Sequence, residues 1–324
     1  MKLSDIAKRA NVSVSTVSKA FADSKEINEE TRKEILSIAK EMGVYDKYYK
    51  GKYNRKIIAI IAPELKSQFY YEVISAFNEI FDRYDCTIVV SVTNFDREVQ
   101  SELIRYYATF GHSDGIIVIG KPRKLPEIKL EVPMIVVYGE SEDFDSFATD
   151  PSEAVVEAVR HLKANGHRKI GFIGERYTKG KLKLFREAMF KNCIEVREDW
   201  ILTSEERFEE AGYESMNRLL LQEEQPTAII AAYDYIALGV YRCIHEHSLR
   251  IPEAFSIIGM DDIDVIRNID PPLTSIGANV KEICEAAAQQ MMKKMKNKDD
   301  SLEKKVVFKD RLVIRESVRD IKAE

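Results

Sequence analysis

A small three-helix unit followed by a larger α/β body of two similar lobes is the fold class this sequence predicts, on three observations. Residues 1–45 place their apolar side chains at helical spacing. From Lys56 onward, short Ile/Val-rich runs alternate with longer amphipathic segments, the mark of strands covered on both faces by helices. Charge is divided unevenly: residues 1–56 hold 10 Lys and 3 Arg against 8 Asp plus Glu, a balance of +5, whereas residues 57–324 hold 36 cations against 46 anions. Only the small unit therefore suits a polyanionic partner, although the whole chain is acidic at −5.

In chain order, Ser4 is placed to cap a first helix carrying Ile6, Ala7 and Ala10, and Asn11-Val12-Ser13 makes a polar turn. Ser13 is placed to cap a second helix with Val17, Ala20 and Phe21 inward. Asn28 caps a third, where Glu29 and Glu30 favour the helix dipole and Ile35, Ile38, Ala39 and Met42 recur until Gly43. Residues 46–56, DKYYKGKYNRK, hold five cations, one anion and three tyrosines and read as a basic linker. Strands follow at Ile57–Ala62, Thr87–Val92, Gly115–Ile119, Met134–Tyr138, Lys169–Ile173, Thr227–Ala232 and Phe255–Gly259, with helices such as Phe69–Tyr84, Glu153–Asn165 and Ile236–His247 between them. The βαβ repetition comes in two blocks that meet near Asp150, so a cleft beyond the carboxyl ends of the strands is the expected ligand site.

Other chemistries find little support. Gly174-Glu175-Arg176-Tyr177-Thr178-Lys179-Gly180-Lys181 has one residue too many for a phosphate loop and Leu182 where a metal-binding hydroxyl is needed. His245 and His247 stand at i and i+2, on different sides of a helix, and Cys86, Cys193, Cys243 and Cys284 are scattered, so no metal and no cofactor is expected. There is no nucleophile elbow, and an enzyme is not expected. No apolar run approaches bilayer length, and Met1-Lys2-Leu3-Ser4-Asp5 has no signal core, so a cytoplasmic protein without a membrane partner is expected.

The two short helices LSDIAKRANVSVSTVSKAF have the spacing of a helix-turn-helix, whose second helix enters the DNA major groove. Their pattern D-x-A-x-x-A-x-V-S-x-x-T-V-S, followed by I-N-E-E-T-R-K-E-I and A-K-E-M-G, resembles the headpiece of the LacI/GalR family of bacterial transcription regulators. The resemblance continues through Asp114-Gly115-Ile116-Ile117, Gly166-His167-Arg168-Lys169-Ile170, Ala237-Leu238-Gly239, Ile258-Gly259-Met260-Asp261-Asp262 and Leu312-Val313-Ile314-Arg315-Glu316-Ser317. It implies a helix-turn-helix headpiece over 1–45, an atypical hinge over 46–56 and a periplasmic-binding-protein-like core of two Rossmann-like lobes over 57–324. Lobe 1 would span about 57–151 and 277–300, and lobe 2 about 152–276 and 301–324.

The same resemblance implies a homodimeric repressor reading a near-palindromic operator under control of a small-molecule effector, a sugar or related metabolite; a core that senses a partner protein or a non-sugar metabolite is the alternative. Carried over residue by residue, it assigns Val14, Ser15 and Lys19 to base edges and Ser13, Thr16, Ser18 and Thr31 to phosphates, with Ser4, Asn28, Lys47, Lys50 and Lys52 as further DNA contacts. Lys19 replaces the commoner arginine and lacks its bidentate fork. For the effector it assigns Phe69, Tyr70, Asp150, Lys181, Tyr233 and Asp261, with Lys181 and Tyr233 departing from the family's arginine and asparagine. The linker has neither the proline nor the leucine of the family's hinge helix, so that helix is expected to be missing or altered, with Tyr48 or Tyr49 as a candidate groove wedge and the cations holding phosphates.

Overall fold

The structure, a computed structural model, describes residues 2–22, 24, 26–48, 55–109, 113–122, 130, 132–296 and 304–322. They form two compact units, 1–56 and 57–324. In the first, α1 (Leu3–Arg9), α2 (Val14–Phe21) and α3 (Glu29–Glu41) close around Ile6, Ala7, Val17, Ala20, Phe21, Ile35, Ala39 and Val44. Asn11 takes φ 51°, a left-handed turn that asparagine tolerates, and lets α2 cross α1. Helix α1 is not capped by Ser4. Its N-cap is Lys2, whose N–H donates to the Asp5 carboxylate at 2.6 Å, while Ser4 sits in the first turn.

A fourth helix, α4 (Tyr45–Tyr48), corrects the boundary expected at residue 45. Tyr45 and Tyr48 pack their rings on Phe21, with centroids 6.3 and 6.0 Å away, so the first turn of the supposed linker belongs to the headpiece core. Lys50, Lys52 and Tyr49 lie outside the described residues, as does the side chain of Lys47.

The body contains β1 (Lys56–Ala62), α5 (Gln68–Asp82), β2 (Cys86–Val92), α6 (Arg97–Thr109), β3 (Gly115–Ile119), β4 (Met134–Val137), β5 (Asp145–Asp150), α7 (Ser152–Ala164), β6 (Ile170–Glu175), α8 (Lys179–Lys191), β7 (Ile201–Ser204), α9 (Phe208–Leu220), β8 (Ala228–Ala231), α10 (Asp234–Glu246), β9 (Ser256–Met260), β10 (Thr274–Gly277), α11 (Val280–Lys296), β11 (Lys305–Lys309) and β12 (Arg311–Val313). One sheet has the order β11-β5-β4-β3-β1-β2 and the other β12-β10-β9-β8-β6-β7. In the second sheet β12 runs antiparallel to β10, beside parallel pairs such as β6 with β8 and β9 with β10. Ile58, Ile60 and Ile61 of β1, and Ile229 and Ile230 of β8, are fully buried, which is why these strands read as continuous apolar runs.

The chain crosses between the lobes three times: between β5 and α7, between β10 and α11, and between β11 and β12. The third crossing corrects the sequence expectation. Residues 301–324 were expected in lobe 2, but β11 pairs with β5 of the first sheet, from Lys305 beside Ser146 to Lys309 beside Asp150. The chain changes lobe only at Asp310, because the alternating sequence Lys-Val-Val-Phe-Lys fits the half-exposed edge of that sheet. Strands β5, β7 and β10 also escape the apolar-run rule. Thr274 and Ser275 of β10 are fully buried, and Ser275 Oγ donates to Asp234 Oδ1 at 2.6 Å.

Candidate functional site

The helix-turn-helix presents Ser13, Val14, Ser15, Ser18 and Lys19 on one exposed face, with Val14 47% exposed, while Val17 and Ala20 are buried beneath. Ser13 caps α2, accepting from the Thr16 N–H at 3.0 Å, and the two hydroxyls lie 2.8 Å apart. Asn28 Oδ1 accepts from the Thr31 N–H at 2.7 Å, so its side chain is engaged as the cap of α3. Lys19 Nζ is held by Glu26 Oε2 at 2.5 Å, and both side chains are exposed. The lysine hydrogen bond holds the Glu26 carboxyl below its ordinary range. Arg32 ties the same loop down, donating to the Ser24 carbonyl at 2.7 Å and to Glu29 at 2.8 Å. What this face offers is a row of small hydroxyls, one apolar side chain and one exchangeable cation, a set able to hold phosphates and touch base edges.

Between the lobes of the body lies a cavity of about 490 Å³. It opens where strand ends of both sheets meet the crossings, so strand-end loops build its walls. Five of the six expected effector residues line it: Phe69, Tyr70, Lys181, Tyr233 and Asp261. Phe69, at the start of α5, packs edge-on to Tyr70 at 5.2 Å and to Tyr138 at 4.9 Å. Lys181, in the first turn of α8, donates to Asp261 Oδ1 at 2.8 Å. Asp261 follows β9 with φ 103°, a strained conformation that aims its carboxylate into the cleft wall. Burial raises its pKa, and Lys181 opposes the rise. Tyr233 turns its hydroxyl to accept the Phe208 N–H at 3.2 Å, and burial raises its pKa as it does that of Tyr70.

Asp150 is the sixth, and it does not line the cavity, although its neighbours Thr149 and Pro151 do. Its carboxylate accepts from Lys309 Nζ at 2.5 Å and from the Ser152 N–H at 3.0 Å, and the Lys309 hydrogen bond lowers its pKa to about 2. The aspartate ends β5 and ties that strand end to the first residue of α7 and to the crossing strand β11.

Sequence reasoning missed several wall residues. Arg207 of the second lobe forks onto Glu64 of the first, at 2.7 and 3.0 Å, and lies 4.4 Å from the centroid of Phe208. Phe95 and Tyr177, again from opposite lobes, stack at 4.5 Å with 15° between their planes. Glu175 ends β6 and Asp310 forms the third crossing, and burial raises the pKa of both, that of Asp310 to about 6. The strand-end rule alone would have found Glu64, Tyr138 and Glu175, each at or just after the carboxyl end of β1, β4 or β6. Among the described residues no group of three or more His, Cys, Asp or Glu is placed to hold a metal ion, and no helix is long and apolar enough to cross a membrane.

Comparison with known proteins agrees with this geometry. The family described as bacterial regulatory proteins, lacI family, matches residues 2–45, and a periplasmic binding protein-like domain matches residues 159–318. The HTH-type transcriptional repressor PurR of Haemophilus influenzae (strain PittEE) is 30% identical over 335 residues, covering 98% of this chain and 99% of the repressor. Among solved structures, a LacI family regulator from Enterococcus faecium with bound ribose matches with a TM-score of 0.72 at 24% identity, over 82% of this chain and 100% of that one. The lac repressor dimer bound to operator and the anti-inducer ONPF matches with a TM-score of 0.70 at 19% identity, over 98% of this chain and 99% of that one. A helix-turn-helix headpiece, a two-lobed core with a cleft between its sheets, and a relative matched over nearly its whole length at this identity together lead to one conclusion: the chain belongs to the lacI family of bacterial regulatory proteins and is a DNA-binding transcription regulator.

Proposed function

We propose that this regulator is a cytoplasmic repressor that acts as a homodimer on a near-palindromic operator and turns over no substrate. Val14, Ser15 and Lys19 read base edges, and Ser13, Thr16, Ser18 and Thr31 hold phosphates. A small polyhydroxylated molecule between Phe69, Tyr70, Lys181, Tyr233 and Asp261 sets its operator affinity. The observation that carries the reading is the convergence of these five side chains, from both lobes, on one cavity of ligand size. Aromatic faces suit the C–H side of a sugar ring, and the Lys181–Asp261 pair offers a donor and an acceptor to its hydroxyls. The ribose in the Enterococcus faecium regulator and the operator-bound lac repressor dimer support the same reading by likeness. Such a ligand can shift operator affinity only by its difference in affinity for two degrees of lobe closure.

The test is a thermal-shift screen of the full chain against sugars and nucleobases, repeated with Lys181→Ala and Asp261→Asn. A stabilising compound should lose most of its effect in both variants and change operator binding in the parent. Stabilisation that survives both substitutions places the ligand elsewhere.

A further inference from the structure

Charge in the cleft is out of balance. Four carboxylates line it, Glu64, Glu175, Asp261 and Asp310, against two cations, Lys181 and Arg207. Both cations are already engaged within the wall: Lys181 on Asp261 at 2.8 Å, and Arg207 bidentate on Glu64 at 2.7 and 3.0 Å. An incoming phosphate or carboxylate would have to break one of these pairs and then lie among the carboxylates released, uncompensated in a partly desolvated space. Three polar atoms of the wall stand without a hydrogen-bond partner and away from solvent: Oδ1 of Asp310, at the third lobe crossing, the hydroxyl of Tyr138, beyond the end of β4, and Nε of Arg207, which lies 4.0 Å from Glu175 Oε2. The first accepts hydrogen bonds, the second can donate or accept, and the third is a donor already facing a carboxylate of the wall. Rings also line the wall: Arg207 already lies over Phe95, Tyr177 and Phe208, at 5.0, 5.1 and 4.4 Å from their centroids, while Phe69 and Tyr70 stand outside that cluster and suit sugar C–H groups.

We propose that the cleft selects a polyhydroxylated ligand bearing a protonated amino group, such as an amino sugar, and discriminates against phosphorylated or carboxylated compounds of the same shape. The proposal rests on reading the cleft as the effector site and adds the ligand's charge. The ammonium group lies at the Asp310 end, where it supplies the missing donor and reduces the negative excess. Lys181 and Arg207 keep their wall partners, and the ring atoms of the ligand lie against the aromatic faces.

The experiment is isothermal titration of the full chain with matched triplets: glucose, glucosamine and glucose 6-phosphate, with their galacto and manno counterparts. In at least one triplet the amino member should bind about tenfold more tightly than its neutral parent, the factor expected of one charge-assisted hydrogen bond, and the phosphate should not bind. Asp310→Asn should bring that ratio below about threefold, and Asp310→Ser repeats the test should the first variant lose its native circular dichroism. The charge proposal is overturned if no amino member binds, if the neutral or phosphorylated member binds most tightly in every triplet, or if Asp310→Asn keeps the full preference. A neutral-sugar response abolished by Lys181→Ala would remove the charge proposal and leave the effector cleft standing. Amino-sugar binding indifferent to both Lys181→Ala and Asp310→Asn would remove both.

Discussion

Arg207 and Glu64 join the two lobes in the wall of the cleft, guanidinium to carboxylate, at 2.7 and 3.0 Å. Their side chains are only 21% and 10% exposed, so the pair is not a solvent-screened surface bridge. The stacked rings of Phe95 and Tyr177 reinforce it.

Removing one partner leaves the other desolvated and unpaired. Arg207→Ala should therefore destabilise the protein by about 1–3 kcal/mol, and Glu64→Gln by a similar amount. The double variant should lose less than the sum, with a coupling of about 1 kcal/mol or more by urea denaturation. Additive losses would mean that the two groups meet without stabilising the closed lobes.

Lys19 must exchange Glu26 for DNA before it can contact a base. Lys19→Ala should weaken operator binding by about 1–3 kcal/mol and shrink the gap between operator and random DNA. Glu26→Gln removes a negative charge from beside Lys19 and frees the lysine, so binding to both DNAs should tighten. Fluorescence anisotropy at fixed salt reads both effects, and unchanged affinity in Glu26→Gln would show that the ion pair does not compete with DNA.

Asn28 is engaged as a helix cap by 2.7 Å geometry. Asn28→Ala should lower headpiece stability by about 0.5–2 kcal/mol, and Asn28→Asp, which keeps the cap, should restore it. If DNA affinity falls while thermal stability stays level, the side chain serves DNA and not the helix.

Asp310 predicts a pH dependence of stability. Burial raises its carboxyl to about 6 from 3.8, with Lys181 opposing the rise and Asp261 and Asp150 adding to it. The folded state therefore binds this proton more tightly than the unfolded chain. The resulting penalty on folding is absent below about pH 4, grows between pH 4 and 6, and is complete above about pH 6. Asp310→Asn should match the parent near pH 4 and exceed it at pH 7.5 by up to about 3 kcal/mol. Urea midpoints that stay parallel across this range would contradict the assignment.

The sequence reading succeeded where side chains declare themselves locally. The Ile/Val runs of β1, β3 and β8 announce strands buried on both faces, and Asn28 announces a helix start three residues before the N–H that it accepts. It failed where a residue's meaning lies far along the chain. Thr274 and Ser275 look like loop residues until Ser317 and Asp234 arrive to bond them. Arg207 sits in Ser-Glu-Glu-Arg-Phe-Glu-Glu, which reads as a solvated charge run, and its partner Glu64 lies 143 residues away. Phe69, Tyr70, Lys181, Tyr233 and Asp261 became candidates through the family resemblance and then met at one cavity. Asp310 was hidden because the third crossing was expected about ten residues earlier.

The pairing of Asp150 with Lys309 has a mechanical consequence. Besides the ion pair, the Asp310 N–H donates to the Asp150 carbonyl at 3.2 Å, and Lys309 stands in register beside Asp150. Beside the other sheet, Gly277 pairs with Arg311, so the second crossing is laced to the far side of the third. Three single strands could flex independently; these are joined edge to edge, so any hinge motion of one crossing must carry the others with it, and Asp150 is one of the rivets of that band.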